Sequence, residues 1–385
     1  MENFTFYNPT KIIFGKGQIA QIAGAIPKGK KILVTYGGGS IKKNGVYDQV
    51  KKALSGYEWE EFGGIEPNPQ YDTLMKAVKK IKDEGFNFIL AVGGGSVIDG
   101  SKFISAACFY DGGDPWELCT KFAQVNNAVP LACVLTLPAT GSESNFGAVI
   151  SRGIDKLFFS SPLVIPNFAV LDPETTFSLS QRQTSNGVVD AFVHIMEQYI
   201  TYPAEGKVQD RFSEGLLLTL MEEGPKALLN PKDLAARSNI MWSATLALNG
   251  LIAVGVPQDW ATHMIGHEIT GNFGIDHART LSIILPAVMK VKRKEKEQKL
   301  LQYGERVLGI NQGSKDERIE AAIAETIKFF KTMQVPTSLK DVDLDENAIE
   351  PIMKTLEAHG RTSLGEHGDI DLKQSRIILQ TAVNG

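Results

Sequence analysis

The stretch Phe88-Ile89-Leu90-Ala91-Val92-Gly93-Gly94-Gly95-Ser96-Val97-Ile98-Asp99 decides how the first part of the chain folds. Its unbroken apolar run is typical of a strand buried on both faces of a parallel sheet. Three glycines end the run, and the apolar spacing after Ser96 predicts a helix. The stretch therefore predicts a strand, a tight turn and a helix in immediate succession, which is the building unit of an α/β domain.

Other segments extend this pattern as far as residue 171. Further strands are predicted at Ile32-Leu33-Val34, Leu131 to Leu137 and Phe168 to Leu171, with helices at Tyr71 to Glu84 and Val97 to Phe109. From about Ser180 onward, helix-period segments dominate: Val188 to Thr201, Asp210 to Leu229, Asp233 to Leu251, Trp260 to Gly271, Lys294 to Leu308 and Asp316 to Met333. We therefore expect an α/β domain with a parallel sheet over residues 1–180 and an all-helical domain over residues 181–385.

Composition limits the classes of partner. The chain has 385 residues with 40 Lys and Arg against 44 Asp and Glu, so it lacks the basic surplus of a protein that binds nucleic acid or anionic membranes. One basic stretch, Lys290 to Lys299, alternates with Glu295 and Glu297. We interpret that stretch as a solvated helix face.

The expected location is the cytoplasm. Three cysteines, Cys108, Cys119 and Cys133, are too few for a disulfide framework and predict reduced thiols. The first 16 residues carry acidic and aromatic side chains rather than the apolar core of a secretory leader. No apolar stretch reaches the ~18 residues of a membrane span.

Two glycine turns resemble each other: Gly37-Gly38-Gly39-Ser40 and Gly93-Gly94-Gly95-Ser96. Glycines permit positive φ and let the backbone approach a phosphate, and the N–H groups of a following helix attract an anion. Ser96 can cap its helix or donate a hydrogen bond to that phosphate. A pyrophosphate site at the second turn is our interpretation; the alternative is a plain tight turn, since neither sequence fits GxGxxG.

The first turn indicates which dinucleotide is bound. An acid commonly meets the 2′-hydroxyl of the NAD ribose, whereas a 2′-phosphate needs positive or donor groups. The end of this strand carries no acid, and Lys42 and Lys43 follow the serine. This composition predicts NADP rather than NAD.

A third loop, from Thr136 to Ser144, follows another apolar strand and is rich in hydroxyl groups, including Thr140 and Ser142. Ligands of open α/β sheets bind at the carboxyl ends of the strands. The loop is thus either a further cofactor contact or a simple polar turn.

Most of the six histidines lie on two helical stretches. Asp190 and His194 are four residues apart in an apolar segment, so both side chains lie on one helix face. His263 and His267 have the same spacing, and His277 follows ten residues later. Alone, the first pair would be a satisfied hydrogen bond.

Together these five side chains predict a divalent-metal site. Three imidazoles and one carboxylate make a ligand set that suits Zn²⁺ or Fe²⁺. The spacing alone leaves open which histidine is not a ligand. The remaining histidines, His359 and His367, are interpreted as structural or surface residues, with His367 a weaker candidate for a site.

The chain resembles the iron-containing, or group III, alcohol dehydrogenases. The resemblance runs nearly end to end and rests on the two glycine turns, on Thr140-Gly141-Ser142-Glu143, on Gly187 to His194, and on His263, His267 and His277. It is strongest to NADPH-dependent butanol dehydrogenases and broad-range aldehyde reductases. It implies a Rossmann-like domain followed by a helical domain, as in the dehydroquinate synthase-like fold.

The resemblance also implies roles for individual residues. It assigns the metal to Asp190, His194, His263 and His277, and places His267 near the nicotinamide as a proton relay. It implies that the cofactor contacts are Gly37, Gly38, Gly39, Ser40, Lys43, Gly93, Gly94, Gly95, Ser96, Asp99, Thr136, Thr140, Ser142 and Lys156. The implied assembly is a homodimer acting on a small aldehyde or alcohol.

Two other functions compete with this interpretation. A cyclising lyase of the same superfamily would also use a metal and a nicotinamide, but its acidic substrate requires a denser Lys, Arg and Glu cluster near the metal helices. A non-catalytic nucleotide sensor would not need the metal-ligand set. Turnover of an aldehyde separates both from the dehydrogenase.

Overall fold

The computed structural model describes residues 1–385 and divides them into two compact units. The α/β unit contains Tyr7–Leu179 and Pro231–Thr245. The helical unit contains Met1–Phe6, Ser180–Asn230 and Leu246–Gly385.

The α/β unit is built on eight strands. They are Lys11–Phe14 (β1), Lys31–Tyr36 (β2), Glu58–Phe62 (β3), Phe88–Gly94 (β4), Leu131–Leu137 (β5), Gly147–Arg152 (β6), Asp155–Ser160 (β7) and Phe168–Leu171 (β8). Six of them form one sheet in the order β1-β8-β5-β4-β2-β3, in which every pairing is parallel. The other two, β6 and β7, form an antiparallel hairpin whose turn uses Gly153 at φ 64°.

Alternate residues of the central strands enter two different apolar cores. Ile32, Val34 and Leu90 belong to one cluster, whereas Leu33 and Ile89 belong to the other. This double burial is why the strands are continuously apolar rather than alternating. The helices of this part of the chain are Ile22–Ala25 (α1), Val46–Ala53 (α2), Tyr71–Glu84 (α3), Gly95–Ala107 (α4) and Glu117–Thr120 (α5).

The remaining helices lie in the second half of the chain. They are Gln181–Tyr199 (α6), Lys207–Leu229 (α7), Leu234–Leu248 (α8), Ala261–Phe273 (α9), His277–Val291 (α10), Glu297–Arg306 (α11), Lys315–Thr332 (α12), Ile349–Ala358 (α13) and Leu372–Asn384 (α14). The predicted fold class is confirmed. Two strands of two residues each, Ser363–Leu364 (β9) and Ile370–Asp371 (β10), are a small departure from an all-helical second domain. None of the helices combines the length and apolarity needed to cross a membrane.

The units differ from the expected ranges 1–180 and 181–385 in two segments. The first residues join the helical unit, where the Glu2 N–H donates to the Gly255 carbonyl. Most of α8 joins the α/β unit, because Met241 enters the sheet's core and Trp242 contacts Phe14 edge-on. Helical periodicity predicts α8 correctly but carries no information about which core a helix joins.

The basic stretch from Lys290 to Lys299 is not a solvated face, contrary to expectation. Lys292, Lys296 and Lys299 are buried. Lys296 donates to the carboxylates of Asp259 and Glu366 at 2.8 and 2.7 Å. Lys292 and Lys296 lie between α10 and α11 and Lys299 lies on α11, so no single helix face explains the burial of all three.

A buried lysine on α4 anchors the loop that follows β5. The ammonium of Lys102 donates to Asn145 Oδ1 and to the Gly147 carbonyl, both at 2.8 Å. Burial lowers the pKa of Lys102 to about 8, against the opposing attraction of Asp99. The folded state therefore releases this proton more readily than the unfolded chain.

We expect this lysine to make stability depend on pH in the alkaline range. Between pH 8 and 10.5 the unfolded chain holds the Lys102 proton that the folded chain has lost, so the free energy of unfolding should rise with pH. The rise is at most ~1.4 kcal/mol per pH unit. Urea unfolding at several pH values measures the free energy of unfolding against pH. Its slope over this range should be less positive for Lys102→Met than for wild type. The exposed control Lys76→Met should keep the wild-type slope; equal slopes for all three proteins would contradict the assignment.

Candidate metal and cofactor sites

Helix α6 carries Asp190 and His194 in a buried setting. The helix starts at a capping box in which Ser180 and Gln183 satisfy each other's backbone N–H groups. Every residue from Gly187 to Tyr199 is buried. A carboxylate buried among apolar side chains is costly unless it is paired or bound to a cation, so Asp190 needs partners.

Helices α9 and α10 provide those partners. Asp190 Oδ1 lies 3.8 Å from His277 Nε2, and the ligand atoms of Asp190, His263 and His277 all lie within 4.8 Å of one another. The start of α10 is tied to α6 because Asp276 accepts hydrogen bonds from Arg182 and Asn186 at 2.7 and 2.8 Å. Burial opposes the charge of Asp276, but these two donors outweigh it and hold the pKa of its carboxyl below the ordinary value.

Three of the four expected ligands are thus brought together, and His194 lies beside them. The His194 ring stacks on His263 with centroids 4.5 Å apart. His267 is close to the same group, with its ring centroid 4.8 Å from that of His277. One carboxylate with neighbouring imidazoles is a donor set that fits Zn²⁺ or Fe²⁺.

A buried glutamate on α6 also contacts this group. Glu197 is seven residues after Asp190 and three after His194, so it lies on the same helix face. One of its oxygens contacts His263 Nδ1 and the other accepts the His263 backbone N–H at 3.2 Å. Sequence reasoning missed this residue, although its spacing provided the signal.

Trp260 is a second residue that sequence reasoning missed. It precedes α9 with φ 65°, a left-handed conformation that a bulky residue rarely adopts. Its indole lies edge-on to His263 at 5.3 Å and tilted toward His194 at 6.2 Å. Strain of this kind persists where the surroundings impose it, commonly next to functional groups. No sequence pattern marks a non-glycine residue for positive φ.

The two remaining histidines lie outside the metal-ligand group. His359 Nδ1 lies 2.8 Å from Glu268 Oε1, and Arg361 also donates to that carboxylate at 2.7 Å. His367 is exposed and stacks on Tyr202 with centroids 4.6 Å apart.

In the α/β unit, the carboxyl ends of β2, β4 and β5 lie at one edge because the strands are parallel. The two glycine turns and the loop from Thr136 to Ser144 follow these three strands. Helix α4 begins directly after β4, and no side chain caps its first N–H groups. Free N–H groups at a helix N-terminus favour an anion, so this edge fits the pyrophosphate site that the sequence predicts.

The second glycine turn needs glycine for space rather than for positive φ. Gly93, Gly94 and Gly95 all lie outside the left-handed region, whereas Gly39 in the first turn has φ 87°. A Cβ on Gly95 would lie 2.5 Å from Thr140 Oγ1. The second turn thus does not use the positive φ that glycine permits; close packing of strand, helix and loop excludes a side chain there.

Asp99 joins this turn to the loop after β5. It accepts hydrogen bonds from Ser142 Oγ at 2.5 Å and from the Val149 N–H at 2.9 Å. Burial raises the pKa of Asp99, and the Lys102 and Lys156 ammonium groups oppose that rise. Lys156 lies on β7, opposite Ser151. The structure thus brings three predicted cofactor residues, Asp99, Ser142 and Lys156, into one neighbourhood.

A glutamate from the neighbouring strand β3, Glu61, lies close to the first glycine turn. Lys42 Nζ donates to Glu61 Oε1 of the neighbouring strand β3 at 2.8 Å and lies over the rings of Tyr36 and Tyr47. The hydrogen bond to Glu61, followed by the contact with Tyr36, raises the pKa of Lys42. Lys43 is exposed on the turn. Of the two lysines next to this turn, Lys42 is therefore already paired with a carboxylate, whereas Lys43 is exposed.

Comparison with known proteins shows matches to one protein family. The model of the iron-containing alcohol dehydrogenases matches residues 9–173, and the model of the C-terminal part of the Fe-containing alcohol dehydrogenase family matches residues 184–365. The chain is 58% identical to the NADPH-dependent aldehyde reductase YqhD of Escherichia coli, across 99% of this chain and 100% of that protein. It is 40% identical to a probable NADH-dependent butanol dehydrogenase of Bacillus subtilis over the full length of both chains. The crystal structure of E. coli K-12 YqhD superimposes with a TM-score of 0.98 at 57% identity, covering 99% of each chain.

We expect His263→Ala and His267→Ala to separate metal binding from catalysis. The first should lose the metal and turnover together, because His263 belongs to the three-residue ligand group. The second should keep the metal but slow turnover by roughly 10²–10⁴-fold, as expected for a lost proton donor. Metal analysis of the purified variants beside steady-state rates distinguishes them, with exposed His367→Asn as the control. Loss of metal in His267→Ala alone would exchange the two assignments.

The packing around the glycine turns predicts how alanine substitutions there change stability. Gly95→Ala should destabilise the fold on the order of 1 kcal/mol, because the clash with Thr140 exceeds the ~1 kcal/mol gained from helix propensity. Gly38→Ala is the matched control: no atom lies within 4 Å of its added Cβ, so its stability should change by less than about 0.5 kcal/mol. Urea unfolding measures both. Adding Thr140→Ala should reduce the Gly95→Ala penalty; an unchanged penalty would show that the contact is not its cause.

Proposed function

Because the chain belongs to the iron-containing alcohol dehydrogenase family, we propose that it is a metal-dependent oxidoreductase that reversibly reduces short-chain aldehydes to primary alcohols with NADPH. The observation that carries the proposal is the group formed by Asp190, His263 and His277, of which the first two are buried and whose ligand atoms lie within 4.8 Å of one another. The name of the E. coli relative, an NADPH-dependent aldehyde reductase that is 58% identical, supports the substrate class and the cofactor.

The two units take different parts in this proposal. The helical unit holds the cation through Asp190, His194, His263 and His277. The α/β unit binds NADPH with its pyrophosphate at the turn from Gly93 to Ser96 and its 2′-phosphate at the turn from Gly37 to Lys43. Asp99, Thr136, Thr140, Ser142 and Lys156 are the remaining proposed contacts. Support comes from the shared sheet edge and from the uncapped N-terminus of α4.

The proposed reaction consumes one aldehyde, one NADPH and one proton, and forms one alcohol and NADP⁺. Bound NADPH would supply the hydride, and a cation held by Asp190, His194, His263 and His277 would supply Lewis-acid polarisation of the carbonyl. His267 donates the proton to the developing alkoxide, directly or through one water molecule. The buried surroundings of Asp190 and His263 exclude bulk water and strengthen the electrostatic interactions at the reacting carbonyl.

Cofactor choice depends on the first glycine turn rather than on family membership. A B. subtilis relative that is 40% identical is named as NADH-dependent. We propose that Ser40 and Lys43 receive the 2′-phosphate here, while Lys42 neutralises Glu61, an acid that would otherwise repel it. We further propose a cytoplasmic homodimer. The few unpaired cysteines support the location, the family resemblance supports the dimer, and light scattering on the purified protein would measure its mass.

Activity with butanal tests the function. NADPH oxidation should proceed with the metal-loaded protein, stop after chelation, and return with Zn²⁺ or Fe²⁺, because the carbonyl needs the cation for polarisation. The rate is followed by NADPH absorbance. Absence of NADPH oxidation with any short aldehyde, in a protein shown to hold metal, would favour the lyase or the nucleotide sensor.

The same assay tests the cofactor. NADPH should give a higher kcat/KM than NADH, and Lys43→Met should lower kcat/KM for NADPH more than for NADH. Equal or better efficiency with NADH would contradict the assignment of the 2′-phosphate to this turn.

A further inference from the structure

Glu197 uses both carboxylate oxygens on one residue of α9. Oε1 accepts the backbone N–H of His263 at 3.2 Å, and Oε2 contacts Nδ1 of the same residue's ring. The glutamate is buried on α6, so water does not compete for either contact.

The backbone contact satisfies a requirement of the helix. Helix α9 begins at Ala261, so the N–H of His263 is one of the first four, which have no partner within the helix. The residue before the helix, Trp260, provides no side-chain cap. Glu197 therefore caps α9 from another helix and fixes the backbone at His263.

The segment before α9 is held by a second network that fixes Glu197 from the other side. The Asp259 N–H donates to the Glu197 carbonyl at 2.9 Å. The Asp259 carboxylate accepts the Ala261 N–H at 2.8 Å and pairs with buried Lys296 at 2.8 Å. The position of Glu197 relative to His263 is thus determined by several contacts at once.

The ring contact decides which nitrogen of His263 is available to a metal. A neutral imidazole carries one N–H, and a carboxylate at Nδ1 favours that proton on Nδ1. Nε2 then presents its lone pair. Nε2 is shielded from solvent, on the side of the ring opposite Glu197, and His263 is in the ligand group with Asp190 and His277.

We propose that Glu197 is a positioning residue for the metal site, which holds His263 in the tautomer and orientation that direct Nε2 to the cation. The inference rests on the proposed metal site and adds to it a residue outside the ligand set. Outer partners of this kind typically change metal affinity by 10–100-fold.

Glu197→Gln is the decisive variant, because glutamine fits the space but cannot accept at both positions. If its oxygen takes the His263 N–H, its NH₂ group faces Nδ1 and favours the tautomer with the proton on Nε2. That proton occupies the atom that should bind the metal. We therefore expect Co²⁺ or Zn²⁺ to bind 10–100-fold more weakly, with thermal stability of the metal-free protein close to wild type.

Glu214→Gln is the matched control. Glu214 is also a buried carboxylate, but it accepts hydrogen bonds from Tyr199, Gln302 and Arg306 at 2.9–3.0 Å rather than from a metal ligand. Its replacement should leave the metal affinity within about twofold of wild type, whatever it does to stability.

Chelator-treated wild type, Glu197→Gln and Glu214→Gln are titrated with Co²⁺, and binding is followed by the visible spectrum and by calorimetry. Weaker binding with an altered spectrum in Glu197→Gln alone supports the proposal. Wild-type affinity and spectrum in Glu197→Gln would overturn it while leaving the metal site intact. Failure of the wild type to bind Co²⁺ or Zn²⁺ would overturn both the metal site and this inference.

A second measurement does not depend on a variant. Nitrogen NMR of Zn²⁺-loaded wild type, labelled at histidine, reports which ring nitrogen of His263 carries a proton. A proton on Nδ1 is expected. A proton on Nε2, or none on either nitrogen, would overturn the proposal even if Glu197→Gln did not fold.

Discussion

Helix α6 is buried from Gly187 to Tyr199 and still carries an aspartate, a histidine and a glutamate on one face. Each of these groups loses water on folding and needs a partner in the protein or a bound cation. Asp190 and His194 meet the histidines of α9 and α10, and Glu197 caps α9. Glu197 of α6 therefore fixes the start of α9. Arg182 and Asn186 of the same helix fix the start of α10 by donating hydrogen bonds to Asp276. The candidate ligand group is therefore a consequence of providing partners for a polar face inside a helical core.

Much of the fold could be predicted because burial leaves a periodic trace in sequence. The strands β2, β4, β5 and β8 are continuous apolar runs, and α3 has a clear apolar face, so both kinds of element were predicted close to their observed bounds. Helix α10 was missed. Its residues 281–289 are apolar almost without interruption, so no helical period shows, and Pro286 lies inside it. Complete burial, which makes a strand easy to recognise, makes a helix hard to recognise.

The candidate site could be predicted as far as its residues share a helix face. Asp190 with His194 and His263 with His267 were found through four-residue spacing, and Glu197 could have been found by extending that face by one turn. Glu61 could not, because it approaches Lys42 only through the pairing of β2 with β3. Trp260 could not either, because its backbone conformation is imposed by its surroundings. Sequence spacing relates residues of one helix or strand, so it cannot predict a contact with a residue of a different element.

Two buried lysines show how much depends on such partners. Lys102 and Lys296 are both shielded from water, which by itself lowers the pKa of an ammonium group. Lys102 donates to neutral oxygens of Asn145 and Gly147, and burial prevails, with its pKa lowered to about 8. Burial opposes the charge of Lys296 as well, but the carboxylates of Asp259 and Glu366 outweigh it and raise its pKa. The first lysine holds the loop that follows β5, at a cost in the free energy of unfolding that falls as pH rises. The second is a buried cation that offsets the negative charges of Asp259 and Glu366. The presence of a lysine in a sequence thus predicts neither its exposure nor its pKa. Both depend on which oxygen atoms the fold places beside its ammonium group.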